Sequence, residues 1–246
     1  MSYETLSAST VLTARELSRL YAGSERSFRL LVPELNVDAG SVNIIIGRSG
    51  CGKSTLLDML GIISRPDSAL SYRIRRNPCQ WFDALHATAR EAEHLRRTQL
   101  GYILQTGGLL PFLNVEDNVS LPRWLCGSPR DGIRELMERL EIAGLSRQYP
   151  AQLSTGQRQR VAIARALAAG PRIVLADEPT GALDPESAGI VRELLLESAR
   201  ERNVAVLIVT HDAELFRNAA DRIYGFDIRV EGTCVTSTLR RESITL

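Results

Sequence analysis

The chain has 246 residues and a hydrophobic content of 44%, which is enough for one large domain or for one domain with a subdomain. Its formal net charge is only +1, so bulk electrostatics give no case for binding nucleic acid. The apolar runs are far shorter than the about 20 residues that cross a bilayer, and the N-terminus lacks a signal-peptide pattern, so we expect a cytosolic protein.

The N-terminal part of the sequence predicts strands. Residues 11–21 have strand-like character, residues 28–37 alternate apolar and polar positions, and a turn leads into a third strand at 42–46. Tyr21 lies at the end of the first of these strands. An aromatic side chain at such a position either packs against its own domain or stacks on the face of a planar base.

The segment after the third strand has the pattern of a phosphate-binding loop that leads into a helix. Its glycines let the backbone turn tightly around an anion, and the following helix points its positive end at the same anion. Lys53, the only lysine of the sequence, supplies a compact ammonium for the β- and γ-phosphates, and the Ser54 hydroxyl is placed to bind Mg²⁺. The predicted binding residues of this loop are Gly47, Arg48, Ser49, Gly50, Cys51, Gly52, Lys53, Ser54 and Thr55.

The cysteines at positions 51, 79, 126 and 234 show no metal-ligand spacing, so we expect reduced thiols and no structural zinc. Cys51 has two interpretations. It is either a small residue that fills a variable position of the loop, or a reactive thiol whose pKa falls in electropositive surroundings and which a bound nucleotide shields.

The middle of the chain mixes strands and helices. We predict a short strand at 71–74, a charged helix at 81–98 with His86 and His94 on its solvated face, and a strand at 100–104 that ends at Gln105. An apolar loop rich in breakers follows at 106–112, then a helical segment from Val115 and an amphipathic helix at 132–141.

The last part of the chain alternates helices and strands. A helix at 161–169 precedes a buried strand at 172–178, whose final residues Asp177 and Glu178 put two carboxylates at the ligand-binding edge of an α/β sheet. A helix at 185–200 and a strand at 204–209 follow, and His211 lies just beyond that strand. From residue 222 onward we expect short strands and a polar terminus.

Taken together, these motifs resemble the nucleotide-binding subunit of an ABC transporter over residues 10–240. They occur in the family order: the phosphate loop at 47–54, Gln105, the signature at 153–157, the acidic strand at 172–178, the turn at 181–184, and His211. The resemblance implies an α/β fold, with a P-loop NTPase core around a parallel sheet, an N-terminal antiparallel β portion and an α-helical signature subdomain. It implies one domain over residues 1–246, with the helical subdomain at about 106–165.

The resemblance also implies the cofactors ATP and Mg²⁺ and the roles of the site residues. Tyr21 is then expected to stack on the adenine ring. The residues implied to hold Mg²⁺, directly or through water, are Ser54, Gln105 and Asp177. The implied catalytic residues are Glu178, which polarises the attacking water, His211, which contacts the γ-phosphate, and Lys53.

In this family the signature residues act on a second subunit. Ser154, Gly156 and Gln157 are implied to close over ATP that is bound to the partner, which predicts a head-to-tail dimer. We expect a homodimer, with a pair of non-identical subunits as the alternative. Thr155 stands where the family signature carries a glycine. Because a β-branched residue restricts the backbone, we expect weakened closure and a slow ATPase.

Segments 101–105, 109–111 and 115–122 resemble more narrowly the lipoprotein-release and macrolide-export branch (LolD/MacB-like). This implies an export or extraction ATPase on the cytoplasmic face of the membrane, peripheral through permease subunits that dock near 105–122. The other interpretation of that segment is an apolar loop packed in its own domain.

Two other functions are open at this point. One is an ATPase that regulates a membrane partner by transmembrane signalling without transport, as in the cell-division branch, which shares every catalytic residue. The other is a soluble ABC protein of DNA repair or translation. It usually needs a second nucleotide-binding domain or a long coiled-coil insertion, and neither is visible in the sequence, so we expect no nucleic-acid partner.

Overall fold

One mixed β-sheet organises the residues that the structure, a computed structural model, describes: 7–23, 26–77, 79–211 and 213–242. The strands are β1 (Thr10–Ala22), β2 (Ser27–Asp38), β3 (Val42–Ile46), β4 (Ser71–Asn77), β5 (Gln80–Asp83), β6 (Leu100–Ile103), β7 (Ile173–Asp177), β8 (Ala205–Thr210), β9 (Arg222–Glu231) and β10 (Cys234–Glu242). Their order across the sheet is β5-β4-β1-β2-β10-β9-β3-β8-β7-β6.

The helices lie in the connections between these strands. They are α1 (Lys53–Leu60), α2 (Ala89–Gln99), α3 (Val115–Leu125), α4 (Ile133–Arg139), α5 (Thr155–Ala168), α6 (Pro185–Arg202) and α7 (Glu214–Arg217). Within the described residues, none of them is both long enough and apolar enough to cross a membrane.

The sheet has a parallel half and a largely antiparallel half, as the sequence predicts. Strands β9, β3, β8, β7 and β6 are parallel neighbours, whereas β1 pairs antiparallel with β2 and β4, and β9 pairs antiparallel with β10. In the parallel half, Ile46 is opposite Thr210 and Asp177 is opposite Val209. Strands β3, β8 and β7 therefore end at the same edge of the sheet.

The core lies on both faces of the parallel strands because successive side chains of a strand point to opposite faces. Val206 and Ile208 of β8 belong to a cluster with residues of α3, α4, α5 and α6. Leu207 and Val209 belong to a second cluster, with residues of α1 and α2 and of the antiparallel strands. The first cluster is continuous from the parallel sheet into α3 and α4, so the helical region shares its core with the sheet.

The loop between β6 and α3 is fastened to α3 by one buried side chain. The Asn118 carboxamide accepts a hydrogen bond from the backbone N–H of Leu110 and donates to the carbonyls of Leu110, Leu113 and Asn114. Asn114 also caps α3, because its side chain accepts from the N–H of Asp117.

The prediction of one charged helix at 81–98 is wrong in its first part. Residues 80–83 form β5, which pairs with β4; the Arg75 guanidinium covers the Trp81 ring and Phe82 is buried. The helix begins only after Thr88, whose hydroxyl and the Glu91 carboxylate form a capping box. His86 therefore precedes the helix, and both His86 and His94 are exposed as expected.

Two other boundaries differ from the prediction. Helix α5 begins at Thr155 rather than near residue 161, because a capping box at Ser154 starts it earlier. The C-terminal strands are longer than expected, since β9 and β10 pair with each other along the whole of β10, and β10 also joins β2 in parallel.

Substitution of Leu207 tests the packing of the central strand. Leu207 is fully buried in β8, so Leu207→Ala should lower the free energy of unfolding by about 2–5 kcal/mol through lost burial and a residual cavity. The measurement is urea unfolding followed by circular dichroism. The control is Val230→Ala on β9, where the side chain is 69% exposed, and an equal loss in both variants would contradict this packing.

Candidate functional site

The edge where the parallel strands end carries a cavity of about 530 Å³. The phosphate loop forms one side of it, and the residues that follow β6, β7 and β8 form the other. The lining residues are Phe28, Gly47, Arg48, Ser49, Gly50, Gly52, Lys53, Ser54, Thr55, Gln105, Asp177, Glu178 and His211. Site residues predicted from four separate segments of the sequence thus meet in one place.

The phosphate loop has the backbone that its glycines predict. Gly50 and Gly52 have φ angles of 79° and 101°, in the left-handed region that a side chain would strain. At Gly47 a Cβ atom would lie 2.5 Å from the Cys51 Sγ, so this glycine is required by close packing. The Lys53 ammonium donates to the carbonyls of Gly47 and Arg48, at 2.8 and 3.1 Å, and so lies across the loop.

Ser54 and Asp177 form the candidate Mg²⁺ site. The Ser54 hydroxyl donates to Oδ2 of Asp177 at 2.8 Å, and Gln105 lines the same cavity. Burial raises the pKa of Asp177 above its usual value, and the nearby charge of Glu178 adds to the rise, while the Ser54 hydrogen bond opposes it. Hydroxyl, carboxylate and amide oxygens are hard ligands, so this donor set fits Mg²⁺.

Glu178 is held at the cavity by its backbone and by His211. Its φ angle is 48°, its N–H donates to the carbonyl of Val209 at 2.9 Å, and its side chain is buried. The carboxylate Oε2 lies 2.8 Å from Nδ1 of His211 and also accepts from the backbone N–H of His211 at 3.3 Å. The carboxylate is therefore fixed beside the phosphate loop, with an exposed imidazole at the mouth of the cavity.

The aromatic residue that reaches the cavity is Phe28, which the sequence analysis did not select. Its ring lies against the phosphate loop, 3.1 Å from where a Cβ atom on Gly52 would be. Tyr21 is exposed, lies under the Arg19 guanidinium, and does not line the cavity. Tyr21 and Phe28 are cross-strand partners of β1 and β2, so their side chains share one face of the sheet. Stacking by Tyr21 stays a prediction.

The signature residues lie outside this cavity, at the N-terminus of α5. The Ser154 hydroxyl accepts from the N–H of Gln157, and Oε1 of Gln157 accepts from the N–H of Ser154, at 3.2 and 2.9 Å. Gly156 packs near Leu183 of the 181–184 turn, 3.4 Å from the position of an added Cβ. One chain therefore does not bring its signature to its own phosphate loop, and the predicted action on a second subunit stays a prediction.

Cys51 fits the interpretation of a small residue that fills the loop. It is only 2% exposed, and its carbonyl accepts a hydrogen bond from the Ser237 hydroxyl at 2.7 Å. Burial raises the pKa of the Cys51 thiol above its usual value, although the charge of Lys53 opposes this. Both observations disfavour a reactive thiolate.

Alkylation tests this interpretation of Cys51. Iodoacetamide at neutral pH should modify the exposed Cys79 much faster than Cys51, because the Cys51 thiol is buried and protonated. Mass spectrometry of peptides taken over time measures both rates, and Cys79 serves as the internal control. Rapid modification of Cys51 that ATP slows would instead support the shielded reactive thiol.

The chain is similar to known proteins over most of its length. Residues 32–181 match the family described as "ABC transporter". Similar proteins include the methionine import ATP-binding protein MetN of Ralstonia nicotianae, 40% identical over 200 residues that make up 79% of this chain and 55% of that protein. The macrolide export ATP-binding/permease protein MacB of Shigella flexneri is 42% identical over 214 residues, which are 85% of this chain and 32% of that protein.

A third relative is matched over more of its own length. The lipoprotein-releasing system ATP-binding protein LolD of Paramagnetospirillum magneticum is 41% identical over 185 residues, which are 74% of this chain and 79% of that protein. By contrast, the chain spans about half the length of the MetN proteins it matches.

Solved structures agree with the sequence matches. A dimeric structure of MJ0796, a bacterial ABC transporter cassette, has a TM-score of 0.81 at 31% identity and covers 95% of this chain and 98% of that one. A dimeric post-hydrolysis structure of MJ0796 bound to ADP and Pi has a TM-score of 0.79 at 30% identity, with the same coverage of both chains.

Proposed function

The chain belongs to the ABC transporter family, and from this premise we propose that it binds and hydrolyses ATP to drive a membrane partner. The observation that carries the proposal is the single cavity in which the phosphate loop, the Ser54–Asp177 pair and the Glu178 carboxylate meet. Phosphoryl transfer needs positioning and charge neutralisation more than covalent chemistry, and this cavity offers both.

In the proposed reaction, the phosphates of ATP lie in the loop and its backbone N–H groups bind their oxygens. The Lys53 ammonium exchanges the carbonyls of Gly47 and Arg48 for phosphate oxygens. Ser54, Gln105 and Asp177 would hold Mg²⁺, which would supply neutralising charge for the phosphates.

Glu178 acts on the attacking water in this proposal. Its carboxylate accepts a hydrogen bond from the water and takes its proton as the water oxygen bonds to the γ-phosphorus. The bond from that phosphorus to the β–γ bridging oxygen breaks, and ADP leaves with the electron pair. His211, which contacts the same carboxylate, is placed to orient it toward the γ-phosphate.

The active form that we propose is a homodimer. The signature residues Ser154, Gly156 and Gln157 lie at an accessible helix N-terminus outside the chain's own cavity, where they are available to ATP on a second copy. The similar cassette MJ0796 is described as dimeric in the solved structures, which supports the same arrangement here.

A surface beside the loop at 106–112 suits the membrane partner. A cavity of about 320 Å³ opens between α2, β6, α3 and α5, with Leu121, Pro122 and Leu125 among its lining residues. Next to it, Trp124 is 68% exposed, and Phe112 on the preceding loop is 71% exposed. The loop is held to α3 by Asn118 and still presents the Phe112 side chain to solvent, so packing within its own domain leaves an apolar group for a partner. We propose that a short cytoplasmic helix of a permease subunit docks here, which makes the chain peripheral to the cytoplasmic face of the membrane.

The direction of transport that we propose is export or extraction, as in the LolD/MacB-like branch. Similarity to MacB and LolD supports it. Import is a second candidate, because MetN proteins reach the same identity to this chain. The catalytic cavity serves either direction, since the cargo is selected by the membrane partner in both cases.

Substitution of the catalytic groups tests the ATPase. Glu178→Gln removes the proton acceptor and should lower the turnover rate by about 10²–10⁴-fold while nucleotide binding is kept. Lys53→Ala should weaken nucleotide binding by about tenfold or more, because it removes a charged donor to the phosphates. Phosphate release and binding of a fluorescent ATP analogue measure the two effects.

The matched control for Glu178→Gln is Glu138→Gln, which makes the same change in an exposed pair with Arg134 on α4. Parental turnover in Glu178→Gln would refute the assignment of the base. Unchanged nucleotide affinity in Lys53→Ala would refute the phosphate site itself.

The docking surface is tested through its effect on turnover. ATP hydrolysis should be low for the chain alone and should rise when its membrane partner is added in detergent, since the partner aligns the two copies. The double variant Trp124→Glu, Leu125→Glu should abolish this rise by charging the apolar surface, with Ile63→Glu as an equally exposed control. Equal hydrolysis with and without the partner would contradict a role in transport.

A further inference from the structure

Thr155, which replaces the usual glycine of the signature, forms a side-chain hydrogen bond with a neighbouring residue. Its hydroxyl lies 3.0 Å from Nη2 of Arg158, which donates to it. The other terminal nitrogen of the same guanidinium donates to the carbonyl of Leu153 at 2.5 Å. A glycine at position 155 would leave Nη2 without this acceptor.

The two contacts of Arg158 lie on either side of Ser154. The Leu153 carbonyl belongs to the peptide unit that precedes Ser154, and the N–H of that unit donates to Oε1 of Gln157 at 2.9 Å. The carbonyl of Ser154 itself accepts from the backbone N–H of Arg158 at 2.9 Å. Hydrogen bonds thus hold both peptide units around Ser154 against the first turn of α5, and Arg158 donates two of these hydrogen bonds.

The positive charge of Arg158 is electrostatically unfavourable at this end of the helix. The first turn of α5 contains no acidic residue, and a cation near the positive end of a helix is repelled by the helix dipole. The guanidinium keeps its place because the Leu153 carbonyl and the Thr155 hydroxyl accept its hydrogen bonds, so its orientation depends on Thr155.

We propose that Thr155 and Arg158 form a coupled clamp that holds the turn at Ser154 ready to meet the ATP of a second copy of this chain. The inference rests on the proposed homodimer and names the residues that position its signature. The Thr155 hydroxyl supplies the acceptor that aligns Arg158, so the substitution for glycine preorganises closure rather than weakening it. Both act as positioning residues.

The experiment measures ATP-driven dimerisation in the Glu178→Gln background, which prevents turnover. Analytical ultracentrifugation with ATP and Mg²⁺ compares the parent with Thr155→Val, Arg158→Gln and the double variant. Each single change should weaken dimerisation by about tenfold, because each removes hydrogen bonds of a charged group. The double variant should be no worse than the more severe single variant, since the two residues act as one unit.

Conservative and matched variants separate positioning from folding. Thr155→Ser keeps the hydroxyl and should dimerise like the parent. Thr98→Val at a half-buried position of α2 and Arg134→Gln at an exposed position of α4 make the same chemical changes away from the signature and should also leave dimerisation unchanged. Binding of a fluorescent ATP analogue to the monomer and the melting temperature should be unaffected in every variant.

The outcomes distinguish the inference from the function on which it rests. If the parent fails to dimerise with ATP, the proposed homodimer and the clamp both fall. If the parent dimerises but Thr155→Val or Arg158→Gln does so equally well, or if their effects simply add, the clamp alone is refuted. Parallel losses of ATP binding and melting temperature would likewise refute it, because the residues would then support folding in general.

Discussion

The hydrogen bond from the Ser54 hydroxyl to the Asp177 carboxylate joins two elements that are 123 residues apart in the chain. It connects the first turn of α1 to the last residue of β7, and it is possible because β3, β8 and β7 are parallel and end at one edge. The same register puts Glu178 and His211 at consecutive strand ends. The reactive groups on these strand ends and on α1 thus depend on the pairing of the three strands, whose side chains are buried in the core except for the partly buried Ile46.

The polar groups of the site also form hydrogen bonds and an ion pair with one another. The Lys53 ammonium binds carbonyls of its own loop, Ser54 binds Asp177, and Glu178 contacts His211. Buried polar groups without partners are costly, so these pairings let the cavity keep its shape between nucleotides. In the proposed reaction, an incoming phosphate would exchange one set of partners for another, and the protein would not have to rebuild the site at each cycle.

The phosphate loop and the acidic strand end could be predicted from sequence because each depends on a few adjacent residues. The left-handed angles of Gly50 and Gly52, and the carboxylates after an apolar strand, are local properties. Phe28 could not be found in this way, because its place beside Gly52 follows from the pairing of β1 with β2 and from their packing over the loop.

The error in the helix predicted at 81–98 has a more local cause. The residues of β5 have a helix-compatible composition, but Trp81 and Phe82 gain arginine contacts and burial as a strand, and the cap at Thr88 starts the helix later. For Cys51, the local pattern suggested an electropositive thiol, whereas the packing of the whole domain buries it. Contacts with a distant segment therefore decide the environment of Cys51, whereas β5 and the start of α2 follow from contacts within residues 71–91 that outweigh the composition of 81–98.

The carboxamide of Asn118 has a mechanical consequence. It hydrogen-bonds to the loop after β6 at several backbone positions. The loop and α3 are therefore joined into one connected body. Trp124 lies near one end of this body, and Gln105 precedes the fastened stretch by a few residues. A displacement imposed on the exposed end of α3 would therefore carry with it the loop that leads back to Gln105 at the edge of the cavity.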